Sequence, residues 1–254
     1  MLGRASFWAL LWAAICALPL AAQTDLLSVS SPDGQIQFRI AISLQQKEVY
    51  ALLRPGYEIS FRGKPVLETS YVGLRIYEQD PLLGENAGLI GHKSGSAGAY
   101  KWLIADYMQN GSLGRRLSLE VRAYNEGVAF RYFVPRTPPL EELLISDEAT
   151  QFHFAPGAKV DADETGAGEI RLPFITQVPG VAWVEITEVR ISKYPPMGLQ
   201  HLAPSVLESA LPENGVDPDT AVATVTPMTC PWRVVVLAAD RAGLKDSVLL
   251  NSLQ

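Results

Sequence analysis

The sequence predicts an all-β protein, a large sandwich of antiparallel sheets with very little helix. Three observations predict it. In residues 115–135, RRLSLEVRAYNEGVAFRYFVP, Leu117, Leu119, Val121 and Ala123 alternate with Ser118, Glu120, Arg122 and Tyr124. That period of two puts the apolar set on one face of a strand. Turn signals recur at a spacing of roughly 8–12 residues, as in sandwiches. Helical patterning is nearly absent, and only 205–211 reads as a short helix.

The elements follow in order. Ser31-Pro32-Asp33-Gly34 suits a type I turn, with Pro second and Gly fourth, and leads into an alternating strand at 35–42. Residues 49–53 and 58–61 read as two strands separated by Pro55-Gly56, and Gly63-Lys64-Pro65 turns the chain into Val66-Leu67. Residues 74–77 are a further strand. The Gly-rich stretch 80–98 reads as irregular, and 100–108 as a strand running into Asn110-Gly111, a hairpin signal. Residues 117–124 and 128–134 form a long hairpin around Asn125-Glu126-Gly127, with Gly127 available for positive φ. Strands at 152–154, 169–175, 181–186, 221–225 and 233–238 complete the set.

Residues 1–22 read as a secretory signal peptide. Arg4 is the charged start, 7–18 the apolar run, and Leu20-Ala21-Ala22 the small-residue cleavage site. The run is short for a membrane span, and Pro19 breaks it. Residues 23–254 then form one β-sandwich domain with a periplasmic or secreted address and no membrane contact after cleavage. The whole chain carries a net charge of −6, with 21 Lys and Arg against 27 Asp and Glu. No basic stripe is visible, which excludes nucleic acid as the expected partner. Cys16 leaves with the leader, so Cys230 has no intramolecular partner. Stability must come from a hydrophobic core, and 48% hydrophobic residues can supply one.

Catalytic signatures are sparse. There is no G-x-S-x-G, and His92, His153 and His201 share no metal-ligand spacing. Cys230, beside Pro231, reads as a buried structural thiol. Asp161, Asp163 and Glu164 cluster, but without the spacing of an EF-type calcium loop. Asn110-Gly111-Ser112 fits a glycosylation sequon and equally a hairpin turn. Trp102, Trp183 and Trp232 could stack on sugar rings, although aromatics in strands are more often core. Alternation from Ile186 places Glu188 on an apolar face, either at a strand end or in a functional role. As an unpaired acid, its removal is expected to cost little.

Four segments, taken together, resemble the N-terminal domain of glycoside hydrolase family 97. They are 29–34 with 63–67; the 115–135 hairpin with 145–154; Ile186-Thr187-Glu188 through Tyr194 to Met197-Gly198-Leu199; and Pro231-Trp232-Arg233 through 239–243 to 249–253. The hairpin and the Pro-Trp-Arg segment are the specific ones. The chain departs from the family pattern at 156–168, a short loop where relatives carry a Trp- and Tyr-rich stretch, and at Val189. The resemblance implies a galactose-mutarotase-like β-super-sandwich beside a (β/α)₈ barrel, in a secreted or periplasmic α-glucosidase or α-galactosidase. It implies that Glu188 is a calcium ligand at a site completed by the barrel, and that substrate contacts belong to carbohydrate. The chain ends where the resemblance places the start of that barrel. Its expected function is therefore an accessory module, inactive alone, with the barrel as partner in cis or in trans. A free-standing carbohydrate-binding or interaction protein is the alternative.

Overall fold

The protein is represented by a computed structural model that describes residues 27–47, 50–111, 114–160, 168–213, 219–245 and 247–253. Residues 1–22, expected to be a signal peptide and containing Cys16, the acidic trio Asp161, Asp163 and Glu164, and Ser112 of the expected sequon lie outside the described residues.

Nineteen strands are described. They are β1 (Leu27–Ser30), β2 (Ile36–Lys47), β3 (Tyr50–Phe61), β4 (Lys64–Tyr71), β5 (Leu74–Ile76), β6 (Leu83–Ala97), β7 (Tyr100–Gln109), β8 (Arg116–Tyr124), β9 (Gly127–Val134) and β10 (Glu142–Glu148). The rest are β11 (Gln151–His153), β12 (Glu169–Ile170), β13 (Phe174–Val178), β14 (Ala182–Val189), β15 (Gly198–Ala203), β16 (Val206–Ala210), β17 (Val222–Val225), β18 (Met228–Thr229) and β19 (Trp232–Ala238). Among the described residues, helix is confined to short 3₁₀ turns at Pro138–Leu140, Ala242–Leu244 and Leu249–Leu253.

One sheet has the order β1-β2-β3-β4. A large sheet runs β13-β14-β19-β9-β8-β7-β6-β5-β10-β17, with β18 alongside β9. A third has the order β11-β16-β15-β12. The three meet in an aromatic stack. Phe38 of β2 lies 5.1 Å from Tyr57 of β3, Tyr57 lies 5.0 Å from Phe130 of β9, and Phe130 lies 6.4 Å from Phe152 of β11. All four rings are fully buried. Such ring pairs add about 0.5–1.5 kcal/mol each beyond their area. The alternation of the 115–135 hairpin holds: Leu117, Leu119, Val121, Val128, Phe130 and Tyr132 all enter this core.

The opposite face of the β8-β9-β19 region has its own cover. Leu244, Leu249 and Leu253 from the C-terminal 3₁₀ turns pack there on Tyr124, Ala129, Trp232, Val234 and Val236. Strand β19 is thus buried on both faces, as a strand sandwiched between two layers must be, with apolar side chains on either side of it except Arg233.

Four local expectations are corrected. Residues 205–211 are not helical; β16 is a central strand paired with both β11 and β15, and tertiary pairing overrides a weak local preference. Residues 80–98 are not irregular, since β6 pairs with β7 from Ala87↔Gln109 to Ala97↔Tyr100. Its glycines hid the alternation, and the Trp102 ring lies over the space that one of them leaves open: a Cβ on Gly95 would stand 2.7 Å from it. Pro55-Gly56 does not divide two strands, because Ile42↔Pro55 and Ala41↔Gly56 continue the β2–β3 ladder. The Pro55 carbonyl accepts from Val72 N at 3.1 Å. A strand residue's N and O point to the same side, so the missing N–H faces away from β2 and costs that ladder nothing. Finally, the turn between β3 and β4 is Arg62-Gly63, both at positive φ (52° and 75°), one residue earlier than expected.

Candidate functional site

The centre of interest is an arginine within a valine strand. Arg233 shares the core-facing side of β19 with Val235 and Leu237 and is 0% exposed. A buried guanidinium demands carboxylate partners. Two strand ends supply them. Glu188, near the end of β14, lies directly opposite Arg233 in the β14–β19 register. Glu148, the last residue of β10, comes from the far part of the large sheet.

Arg233 Nε donates to Glu148 Oε2 at 3.0 Å and Nη2 donates to Oε1, a forked contact, while Nη1 donates to Glu188 Oε2 at 2.6 Å. Glu148 also accepts from Tyr194 Oη at 2.7 Å and Thr150 Oγ1 at 3.2 Å. The Tyr194 ring lies 5.7 Å from the Arg233 guanidinium, and its hydroxyl is 3.5 Å from Cys230 Sγ. Burial lowers the Arg233 pKa, but the Glu148 charge and hydrogen bonds outweigh it, so the guanidinium is held more firmly charged than usual. Burial, with the neighbouring Glu148 charge, pushes the Cys230 thiol well up, so it stays protonated and non-nucleophilic.

Glu188 is not the unpaired acid expected of it. Oε1 accepts from Arg190 Nε at 3.0 Å, and Met197 N reaches both oxygens at 3.2 Å. Its side chain is only 4% exposed, whereas that of Arg190 is 69% exposed. The position matches the sequence expectation in both respects: close to a strand end, and on the apolar face of Ile186. The partners were not foreseen. One signal could have found them, since a charged residue in the run Trp232-Arg233-Val234-Val235-Val236 requires a buried counter-charge.

Calcium, implied at Glu188 by the resemblance, takes six to eight oxygens. Among the described residues, no three His, Cys, Asp or Glu side chains converge as a metal site. Glu188 already receives hydrogen bonds on both oxygens and faces two guanidinium groups. The described residues of this chain do not by themselves fit a calcium ion.

The remaining candidates are scattered. His92 on β6 and His201 on β15 are exposed, while His153 on β11 stands 3.7 Å from Glu68. Trp232 is buried, with the Arg131 and Arg122 guanidinium groups 4.2 and 4.5 Å from its ring. Trp183 has Arg241 at 5.6 Å, and Trp102 lies against Gly95. Trp232 is thus closed to a ligand, whereas Trp102 and Trp183 are half-buried.

Fold and cluster together define an antiparallel β-sandwich module whose strand ends are tied by a buried arginine and two carboxylates. The family model described as "Glycosyl-hydrolase 97 N-terminal" matches residues 29–165 and 157–254, and the chain belongs to that family. Among solved structures it is similar to a Glycoside Hydrolase Family 97 enzyme from Pseudoalteromonas sp. strain K8 in complex with acarbose. The identity is 22% and the TM-score 0.76, over 90% of this chain and 38% of that one. A variant of that enzyme in complex with panose gives a TM-score of 0.77 at the same identity and coverage. A beta-arabinopyranosidase gives 0.69 at 21% identity, over 84% of this chain and 40% of that one. These likenesses are of fold, and the chain spans about two-fifths of the length of those proteins. A comparison with curated proteins found no match.

Proposed function

We propose that this chain is the N-terminal sandwich module of a secreted or periplasmic α-glycosidase and acts with a (β/α)₈ barrel, in cis or in trans, rather than alone. The observation that carries the reading is coverage: 90% of the chain superposes on only 38% of a family 97 enzyme. The cluster chemistry supports it. Glycoside hydrolysis generally uses two carboxylates flanking the scissile bond. Here Glu148 and Glu188 both bind one arginine and have side chains 0% and 4% exposed. They brace strands and offer no acid–base pair to a substrate. In the same reading Glu188 is the one group that this module contributes towards a barrel-completed calcium site, and α-glucosides or α-galactosides are the substrates.

The test is direct. The purified chain, incubated with p-nitrophenyl α-glucoside and α-galactoside, is expected to give no turnover above a buffer blank. Turnover that disappears in Glu188→Gln would overturn the proposal.

A further inference from the structure

On β2 and β3 one face supplies Ile36, Phe38, Ile40, Tyr57, Ile59 and Phe61 to the core. The other face, turned away from it, carries Gln37, Arg39, Glu58 and Ser60. Fully solvated polar side chains would be the ordinary outcome there. Instead these residues are half-buried, as are Glu68, Thr69 and His153 beside them. Together they line a groove of about 670 Å³ running over β2, β3 and β4 to β11. That volume falls within the roughly 300–1,000 Å³ typical of small-molecule clefts. The groove shares no residue with the Glu188 cluster.

We infer that this groove binds short neutral oligosaccharides; the inference rests on the reading of the chain as a glycosidase-associated module. The chemistry selects that class. One guanidinium against two carboxylates leaves a single net negative charge in the groove, which does not select a strongly charged ligand of either sign. Glu58 and Glu68 oppose a phosphate or polyanion, and Arg39 opposes a metal cation. The polar atoms hold one another loosely, leaving capacity to spare. Arg39 donates to Glu58 and to Gln37 at 3.3 Å each, Thr69 donates to Glu58 at 3.1 Å, and His153 Nε2 stands 3.7 Å from Glu68. Such lengths are at or beyond the far end of good hydrogen bonds. A ligand that needs donors and acceptors interleaved is one bearing several hydroxyls, each both donor and acceptor. Pro65 offers a small exposed aliphatic surface to a sugar ring, whereas Leu67 and Ile59 are each 1% exposed and face the core, and no Phe, Tyr or Trp is among the lining residues. Affinity should therefore be modest, with Kd on the order of millimolar.

The experiment is a heteronuclear NMR titration of the chain with panose. Saturable shifts at β2, β3 and β4 are expected, weakened at least about tenfold in Arg39→Ala and in Glu58→Gln, and unchanged in Arg136→Ala. The last is a control at a residue whose side chain is 69% exposed and outside the groove. Near-UV circular dichroism checks that each variant keeps its packing. No saturable shift up to about 20 mM panose, a range that covers millimolar binding, overturns the inference, and so does saturation that survives Arg39→Ala. Either result leaves the hydrolysis test of the proposed function untouched, since that test does not depend on the groove.

Discussion

Arg233 is held by three charge-assisted hydrogen bonds with no solvent to replace them, so its loss strands two carboxylates in the interior. Arg233→Ala is expected to destabilise the fold by about 3–5 kcal/mol, the usual range when one partner of a buried pair is removed. Urea denaturation would measure it, and a loss below about 1 kcal/mol would show that water reaches the cluster. The neighbouring Asp147 behaves differently. Burial raises its carboxyl pKa to about 6, against hydrogen bonds from Leu211 N and Glu148 N that pull it down. A carboxyl raised in the folded state binds more protons there than in the unfolded chain between about pH 4 and 6. Its contribution therefore favours folding below pH 4 and is lost as the pH rises through 6. Asp147→Asn keeps Oδ1 as acceptor for both amides and removes the titration. The variant should gain stability on the order of 1 kcal/mol at pH 7 relative to the parent, and this difference should vanish near pH 4. Thermal melts across that range decide it; a gain independent of pH would mean that Asp147 is not the titrating group.

Between residues and sheets, Gly127 shows how an element can be read correctly for the wrong reason. The β8–β9 hairpin is present with Tyr124↔Gly127 as its last pair, yet Gly127 is not among the positive-φ glycines. A Cβ there would stand 2.3 Å from the Val235 carbonyl oxygen, so glycine is required for the approach of β19. Gly127→Ala should cost about 1–3 kcal/mol through overpacking against backbone that cannot rotate away. A denaturation midpoint unchanged from the parent would refute the close approach. The strands 115–135 were legible because bulky apolar residues alternate strictly there. β6 was not, because glycine carries no hydropathy signal and its fifteen residues are held by pairing with β7. β16 was misread because five residues cannot reveal whether two neighbouring strands flank them.

At the scale of the molecule, three sheets converge on the Phe38–Tyr57–Phe130–Phe152 stack, and a C-terminal layer closes the far side of β19. The Glu148–Arg233–Glu188 cluster ties the ends of β10, β14 and β19 across the large sheet. Calcium affinity follows from that arrangement. With both oxygens of Glu188 occupied by donors, the chain alone should bind Ca²⁺ more weakly than about millimolar, the loose end of protein calcium sites. Isothermal titration calorimetry would show it. Binding tighter than that, unaffected by Glu188→Ala, would transfer the metal to other acids.

The sequence by itself determined the all-β class, most strand positions, the core face of the β8–β9 hairpin and the family resemblance, because each is written in local alternation or in contiguous segments. It also located Glu188 near a strand end on an apolar face. Only the tertiary structure decided that Glu188 and Glu148, 40 residues apart in the chain, share one arginine. It alone assembled the polar groove over β2–β4 and showed why Gly127 must be glycine. Those facts depend on which strands become neighbours, and a strand's period of two marks its buried face without naming its partner.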